Sequence, residues 1–371
     1  MIYLDNAATT QPLPSAEEAV FMANPSSPHG GGIAAERALA DARSQVAALL
    51  RAAPEELVFT SGGTEGNNLA ILGFVLARKK NDALPLLLAE PWAHPSVLAP
   101  VQYAADMGWA TAQLTPTEEW PQLAAAADTV LACANHVHHE TGDITDLPAL
   151  RRELLSANAN AVLFADGAQG FGKTDEAAYA AADMYALSGH KCHAPTGIGA
   201  LMVRKGIKLA PLLRGGGQEH GLRAGTQNTF AACELARAAS LTHANREKFT
   251  LYVSRLRDMM ADLSRDMADF CINARTAQTS PYILNASFLG TRGEVLVHML
   301  SEQHIYVSMG AACKSRSKKD TSSLALMGVD RARAESAVRF SFSHRTTPAD
   351  VVTTKKALIA CVAQLRKISG Y

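Results

Sequence analysis

Ala161-Val162-Leu163-Phe164-Ala165-Asp166 is an apolar run that ends in a carboxylate, and Gly167-Ala168-Gln169 follows it directly. A short apolar run bounded by turn formers reads as a buried strand, which puts Asp166 at the strand's carboxyl edge. A second short run, Met184-Tyr185-Ala186-Leu187, delivers Ser188-Gly189-His190-Lys191 in the same way.

The pattern extends on both sides. Residues Ile33 to Leu50 are rich in Ala and Leu with apolar positions at helical spacing, and Pro54 stops them. Leu57 to Thr60 reads as a strand running into Ser61-Gly62-Gly63-Thr64-Glu65, and Asn67 to Arg78 as a helix. Leu84 to Glu90 and Thr129 to Ala134 are further strand candidates, with a helical stretch at Leu147 to Ala157. Strand–helix alternation of this length predicts an α/β fold whose large domain, residues 13–247, has a mostly parallel sheet flanked by helices. Past Phe230 the character changes. Ala231 to Met260 reads as one long helical segment; a strand at Tyr282 to Phe288, a helix at Glu294 to Gln303 and a strand at Val338 to Phe342 follow. These predict a smaller α+β domain over residues 248–371, joined by the N-terminal segment 1–12. No internal repeat or low-complexity run interrupts the chain, and the polar stretch Lys314 to Asp320 reads as a mobile loop.

Composition excludes several classes. With 371 residues the chain is too long for one ordinary core, and 48% hydrophobic with 19% charged residues is the balance of a packed globular protein. A formal net charge of zero supplies no field to recruit nucleic acid or an anionic membrane. Met1 to Asn6 carry neither a basic segment nor the start of a long apolar one, so no signal peptide is expected. No apolar stretch approaches the ~20 residues of a membrane-spanning helix. The cysteines at 133, 192, 233, 271, 313 and 361 form no CxxC pair, which suits free thiols in a reducing compartment and predicts a cytoplasmic location.

Against that background the two strand ends acquire a chemistry. A carboxylate, an amide and a lysine from neighbouring strand ends are the parts that a pyridoxal phosphate site needs. The lysine condenses with the aldehyde, and the carboxylate keeps the pyridine nitrogen protonated so that the ring draws electrons. A lone Asp–Lys pair is usually a surface ion pair, but the flanking apolar strands and the nearby Ser188 and His190 favour the site. The glycine-rich turn Ser61-Gly62-Gly63-Thr64 lies where a strand meets a helix. Unpaired amides and the helix dipole favour a phosphate there, with the Thr64 hydroxyl as a further donor.

A second candidate site is Ser308-Met309-Gly310-Ala311-Ala312-Cys313, where small residues precede a cysteine and a polar loop follows. Buried cysteine is the common case, and Cys133 and Cys233 fit it. Cys313 does not: Lys314, Arg316, Lys318 and Lys319 come next, and positive charge favours the thiolate.

The whole set of motifs resembles the cysteine desulfurases of the NifS/IscS type, in the class V branch of the fold-type I pyridoxal phosphate enzymes. Tyr3-Leu4-Asp5-Asn6-Ala7-Ala8-Thr9-Thr10, Asn24-Pro25-Ser26-Ser27-Pro28-His29, Thr60-Ser61-Gly62-Gly63-Thr64-Glu65, Asp166-Gly167-Ala168-Gln169, Ser188-Gly189-His190-Lys191, Gly215-Gly216-Gly217-Gln218-Glu219, Arg223-Ala224-Gly225-Thr226 and Arg339-Phe340-Ser341 all correspond. The resemblance implies conversion of L-cysteine to L-alanine, with the sulfur left on Cys313 as a persulfide and passed to an acceptor protein. It implies that Lys191 carries the cofactor and that His94 stacks on its ring and moves protons. Gly63, Thr64, Ser188 and His190 would hold the phosphate, with Thr226 supplied by the partner of a homodimer. Asp166, Gln169 and His139 would contact the ring and its oxygen, while Asn6, Arg339 and His139 would bind the substrate.

Three departures stand out. His138-His139-Glu140-Thr141-Gly142 replaces the family's usual Asn-Asn-Glu-Thr-Gly, His220 stands where Arg is usual, and the connection from Thr10 to Asn24 is short. A His-x-His metal site with His136 lacks a carboxylate or thiol set to complete it, so no metal is expected. An aminotransferase or selenocysteine lyase of the same branch would need Lys191 and Asp166 but has no use for Cys313. A non-catalytic scaffold is the remaining alternative. The sulfur acceptor, whether for iron–sulfur assembly, tRNA thiolation or DNA sulfur modification, is not written in these residues.

Overall fold

A computed structural model describes residues 1–14, 23–78, 83–309 and 322–371. The chain divides into two compact units. The larger comprises Gln11–His136 and Thr145–Ala244; the smaller comprises Met1–Thr10, Val137–Ile144 and Asn245–Tyr371.

The first strand, β1 (Ile2–Tyr3), belongs to the smaller unit. The larger unit then supplies β2 (Leu57–Thr60), β3 (Leu86–Ala89), β4 (Thr111–Leu114), β5 (Val130–Asn135), β6 (Val162–Asp166), β7 (Met184–Ser188) and β8 (Gly199–Val203). They form one seven-stranded sheet in the order β2-β8-β7-β6-β5-β3-β4. The run from β4 to β7 is parallel, whereas β8 is antiparallel to both β7 and β2. Two reversals cancel, so β2 points the same way as β7. The register Thr60↔Gly199 and Ser188↔Gly199 therefore brings the carboxyl ends of β2 and β7 to one sheet edge, beside Asp166. In open α/β sheets that edge is where ligands bind.

Alternation along each central strand feeds two cores. Ala132, Leu163, Ala165, Tyr185 and Leu187 enter the core on one face; Leu131, Cys133, Phe164, Met184 and Ala186 enter that on the other. Strands buried on both faces must be continuously apolar, which is why the sequence shows unbroken runs there.

In the smaller unit β9 (Phe270–Ile272), β10 (Ile283–Phe288), β12 (Ser308–Met309) and β13 (Ala337–Ser341) make an antiparallel sheet in the order β12-β13-β10-β9, while β11 (Ile305–Tyr306) pairs with β1 in parallel. Its core includes Leu4, Val253, Leu256, Leu284, Phe288, Phe340, Leu358 and Val362. The helix Pro348–Ser369 is closed at both ends by its own sequence. Thr347 and Asp350 make a capping box at one end, and Gly370 takes φ 71° at the other.

The long segment Ala231 to Met260 is two helices, Thr229–Ala244 and Arg246–Ala261. They break at Asn245, whose φ −110° and ψ 9° are not helical, and asparagine is a residue that competes poorly for helix interiors. The helix after β2 begins at Gly63 rather than Asn67, so the glycine-rich turn is itself the helix start. Among the described residues no helix is long and apolar enough to cross a membrane.

Candidate active site

Asp166 closes β6 with 8% exposure, and both its oxygens are engaged. Oδ1 accepts from the Ala168 amide at 3.0 Å, and Oδ2 accepts from Asn67 Nδ2 at 2.9 Å. The other Asn67 Nδ2 proton goes to Ser96 Oγ at 2.8 Å. Ser96 Oγ lies 2.7 Å from His94 Nδ1, which also accepts the Ser96 amide at 3.1 Å. An amide only donates, so Nδ1 is an acceptor and the ring proton is assigned to Nε2. Burial pushes the His94 pKa down, Asp166 pulls it up and Lys191 pushes it down again, with a net lowering. His94 is thus a neutral imidazole at neutral pH, held as N-cap of the helix Pro95–Asp106 with its Nε2–H as donor.

A buried aromatic floor fixes the Asp166 turn. His136 Nδ1 and Tyr185 Oη lie 2.7 Å apart, and the His136 amide donates to the Asp166 carbonyl at 3.0 Å. Burial pushes the His136 pKa down to about 3, so it stays neutral in this floor. A Cβ on Gly167 would stand 2.0 Å from the Tyr185 ring, and one on Gly170 would stand 2.3 Å from His136. Tyr185 has no exposed surface and nowhere to retreat. Gly167→Ala should therefore cost about 2–3 kcal/mol of stability, read as a lower urea midpoint. An unchanged midpoint would mean the turn is not packed as described.

The turn Ser61-Gly62-Gly63-Thr64 opens the helix Gly63–Arg78, with Glu65 Oε2 accepting the Ser61 amide at 2.7 Å. Gly62 takes φ 155°, and a Cβ on Gly63 would lie 3.4 Å from Ser188 Cβ and 3.8 Å from Ala168 Cβ. The turn, Ser188 and the Asp166 turn thus meet. His190 and Lys191 lie in the single 3₁₀ turn after β7. Burial lowers the His190 pKa, with Lys191 and Lys173 adding to it. Gln169 is buried, and its Oε1 accepts from Lys173 Nζ at 3.5 Å. Burial of that ammonium, with Lys191 nearby, brings the Lys173 pKa down to about 8. Thr226 is exposed, ahead of the helix Thr229–Ala244.

The cysteines separate by environment. Burial pushes the Cys192 thiol up to about 12, and the Cys133 thiol rises for the same reason. Neither supplies a thiolate near neutral pH. Cys361 is also raised by burial. Cys313 lies outside the described residues.

The smaller unit gathers the other group. Arg339 of β13 is 8% exposed, donating from Nη1 to the His139 carbonyl at 2.8 Å and from Nη2 to Asp5 Oδ1 at 3.0 Å. Asn6 donates from Nδ2 to the Ser341 carbonyl at 2.9 Å. Arg339 Nε is buried and has no hydrogen-bond partner among the described residues, and the same holds for Glu140 Oε2. His139 Nε2 stands 3.8 Å from Glu140 Oε1. His138 is spent locally: its Nδ1 accepts the Thr141 amide at 3.3 Å and lies 2.9 Å from Thr141 Oγ1, whose hydroxyl donates to Asp143.

Glu140 is unusual among these. Burial raises its pKa to about 7, against smaller opposing contributions from Ser323 and Arg339. The folded state then holds a proton that the unfolded state releases near 4.5, so stability falls as pH rises from about 4.5 to 7 and is level above. Glu140→Gln should be stabilising by up to about 3 kcal/mol at pH 8 and nearly neutral at pH 5. Equal effects at the two pH values in urea melts would contradict this.

Asn67, Ser96, Asp5 and Glu140 were not among the residues singled out in the sequence. Asn67 has one signal, a polar residue one helical turn beyond Gly63, on the same face of the helix.

The fold and this edge site define a class, and the chain belongs to the aminotransferase class-V family, whose model matches residues 2–353. Within it, the chain is similar to a cysteine desulfurase from Nostoc sp., with 34% identity over 385 residues covering 100% of this chain and 95% of the relative. Among solved structures, a NifS-like protein matches with a TM-score of 0.88 and 28% identity over 98% of this chain and 99% of that one. SspA in complex with cysteine matches with a TM-score of 0.76 and 27% identity over 92% and 99% of the respective chains.

Proposed function

We propose that the protein is a pyridoxal phosphate-dependent cysteine desulfurase that converts L-cysteine to L-alanine and leaves the sulfur on Cys313 as a persulfide for an acceptor protein. The observation that carries this reading is the meeting of Asp166, the Ser61–Thr64 turn and the Ser188–Lys191 turn at one edge of the sheet.

The residues present fit the cofactor. Gly62 and Gly63 leave room for a phosphate beside Ser188, and the helix start, the Thr64 and Ser188 hydroxyls and His190 are donors suited to a dianion. Asp166 is a buried carboxylate already oriented by two donors, which suits a pyridinium nitrogen. Lys191 would hold the aldehyde carbon and Gln169 the ring oxygen. When bound, pyridoxal phosphate supplies an electron sink for bonds at the substrate's α-carbon.

The chain's own groups do the rest. His94 presents Nε2–H to the site as a hydrogen-bond donor; taking a proton there requires the other tautomer, with the ring proton on Nδ1 facing Ser96. Arg339 binds the substrate carboxylate, and its buried Nε, which has no partner among the described residues, is a donor in want of an acceptor. The His139 carbonyl holds that guanidinium, and Asn6, bonded to the Ser341 carbonyl two residues along β13, would join it in binding the substrate. The Cys313 thiolate attacks the substrate sulfur: an S–S bond forms as the C–S bond breaks, and the carbon takes a proton to give alanine.

A homodimer completes the reading, with the exposed Thr226 reaching the phosphate of the neighbouring subunit. The mass in solution should be twice the 39.4 kDa chain. A fully active monomer at micromolar concentration would overturn this part. Addition of L-cysteine should perturb the cofactor's visible absorbance. A bound cofactor indifferent to cysteine would point to a scaffold.

A further inference from the structure

Among the described residues β2 is an edge strand, with no neighbouring strand on one side. Two side chains stand there instead. The Leu57 carbonyl accepts from Arg43 Nη1 at 2.6 Å, and the Phe59 amide donates to Glu219 Oε2 at 2.7 Å. Arg43 and Glu219 are themselves joined by two hydrogen bonds, Nη1 to Oε2 at 2.8 Å and Nη2 to Oε1 at 2.6 Å. Arg43 is 9% exposed and Glu219 3%. The ion pair thus occupies the place of a strand, satisfying edge groups that would otherwise be unpaired.

Glu219 reaches this position from a strained turn. Glu219, His220 and Gly221 have φ of 49°, 56° and 77° in succession. Left-handed backbone is unfavourable for non-glycine residues, so two together persist only where surrounding contacts over-determine them. Farther along the same loop, Arg223 Nε donates to Glu65 Oε1 at 3.0 Å, while Glu65 Oε2 holds the Ser61 amide. The loop therefore grips the chain on either side of the Gly62–Gly63 turn. From behind, a Cβ on Gly199 would lie 2.7 Å from Gly62 Cα, so β8 backs the turn directly.

We propose that the Arg43–Glu219 ion pair is a positioning device for the Ser61–Thr64 turn, fixing the angle at which its amides meet a phosphate. Neither residue touches the ligand; they act through Phe59 and the strand end. The inference rests on the reading of that turn as the cofactor's phosphate site.

The test is the affinity of the full chain, freed of cofactor, for pyridoxal phosphate and for pyridoxal, which lacks the phosphate. Both are read by the absorbance of their adduct with Lys191. Glu219→Gln keeps an acceptor for Phe59 and one bond to Arg43, and so guards against the misfolding that Glu219→Ala risks; thermal melts confirm that the variant is folded. Glu219→Gln should weaken pyridoxal phosphate about tenfold and leave pyridoxal unchanged. Equal weakening of both ligands, or of neither, would overturn the proposal. A wild-type protein that does not prefer pyridoxal phosphate to pyridoxal would instead overturn the phosphate reading of the turn.

Discussion

Asp166→Ala should lose at least about a thousandfold in turnover of L-cysteine, and Asp166→Asn nearly as much. The asparagine variant is the sharper test because it keeps the shape. Its Oδ1 still accepts the Ala168 amide and the buried side chain remains filled, but the negative charge is gone. Without that charge the edge site loses the buried carboxylate that would hold a pyridinium nitrogen protonated. Its other flank, Asn67 to Ser96 to His94, would also be disturbed, since an amide NH₂ facing Asn67 Nδ2 sets donor against donor. Cofactor affinity should fall less than turnover, because Lys191 and the Ser61–Thr64 turn proposed to hold the phosphate remain. Asp166→Asn with wild-type turnover would remove the basis for placing the cofactor here.

Cys313→Ser should retain the cofactor's absorbance and its response to L-cysteine, yet release no sulfur. The division of labour is chemical. On the proposed mechanism Lys191, Asp166 and Arg339 would bind and activate the amino acid, whereas only a thiolate would accept its sulfur. Serine is close in size but is a poor nucleophile at neutral pH and holds no persulfide. Cys192, adjacent to Lys191, is the obvious rival by sequence. Burial keeps its sulfur as a thiol, donating to the Gly189 carbonyl at 3.2 Å. Cys192→Ser should accordingly keep sulfur release. Sulfide and alanine formed by Cys313→Ser at the wild-type rate would recast the enzyme as a lyase that needs no cysteine.

What was legible in the chain follows from how locally each feature is encoded. β6 and β7 were visible because strands buried on both faces must be apolar throughout, and their ends then display Asp166 and Ser188 without further folding information. The glycine-rich turn was visible because a tight strand-to-helix turn, with Gly62 at φ 155° and Gly63 packed close to Ser188, favours residues without Cβ. The chain Asp166–Asn67–Ser96–His94 was not, because it joins a strand end to two helices and exists only once they pack. The strand β4, exposed except for the half-buried Ala112, gave no apolar run to read. The break at Asn245 was hidden inside continuous helical periodicity. Glu219 lies 176 residues from Arg43, so nothing local in the chain reveals that the two meet.

The most direct test of the central claim is a product balance. Purified protein loaded with pyridoxal phosphate is given L-cysteine and a thiol reductant, and alanine and sulfide are measured together. Alanine and sulfide formed in equal amounts, with the extra sulfur found by mass spectrometry on Cys313 when reductant is withheld, is the predicted result. Pyruvate in place of alanine, amino transfer to a 2-oxo acid without sulfide, or persulfide on a cysteine other than Cys313 would contradict it.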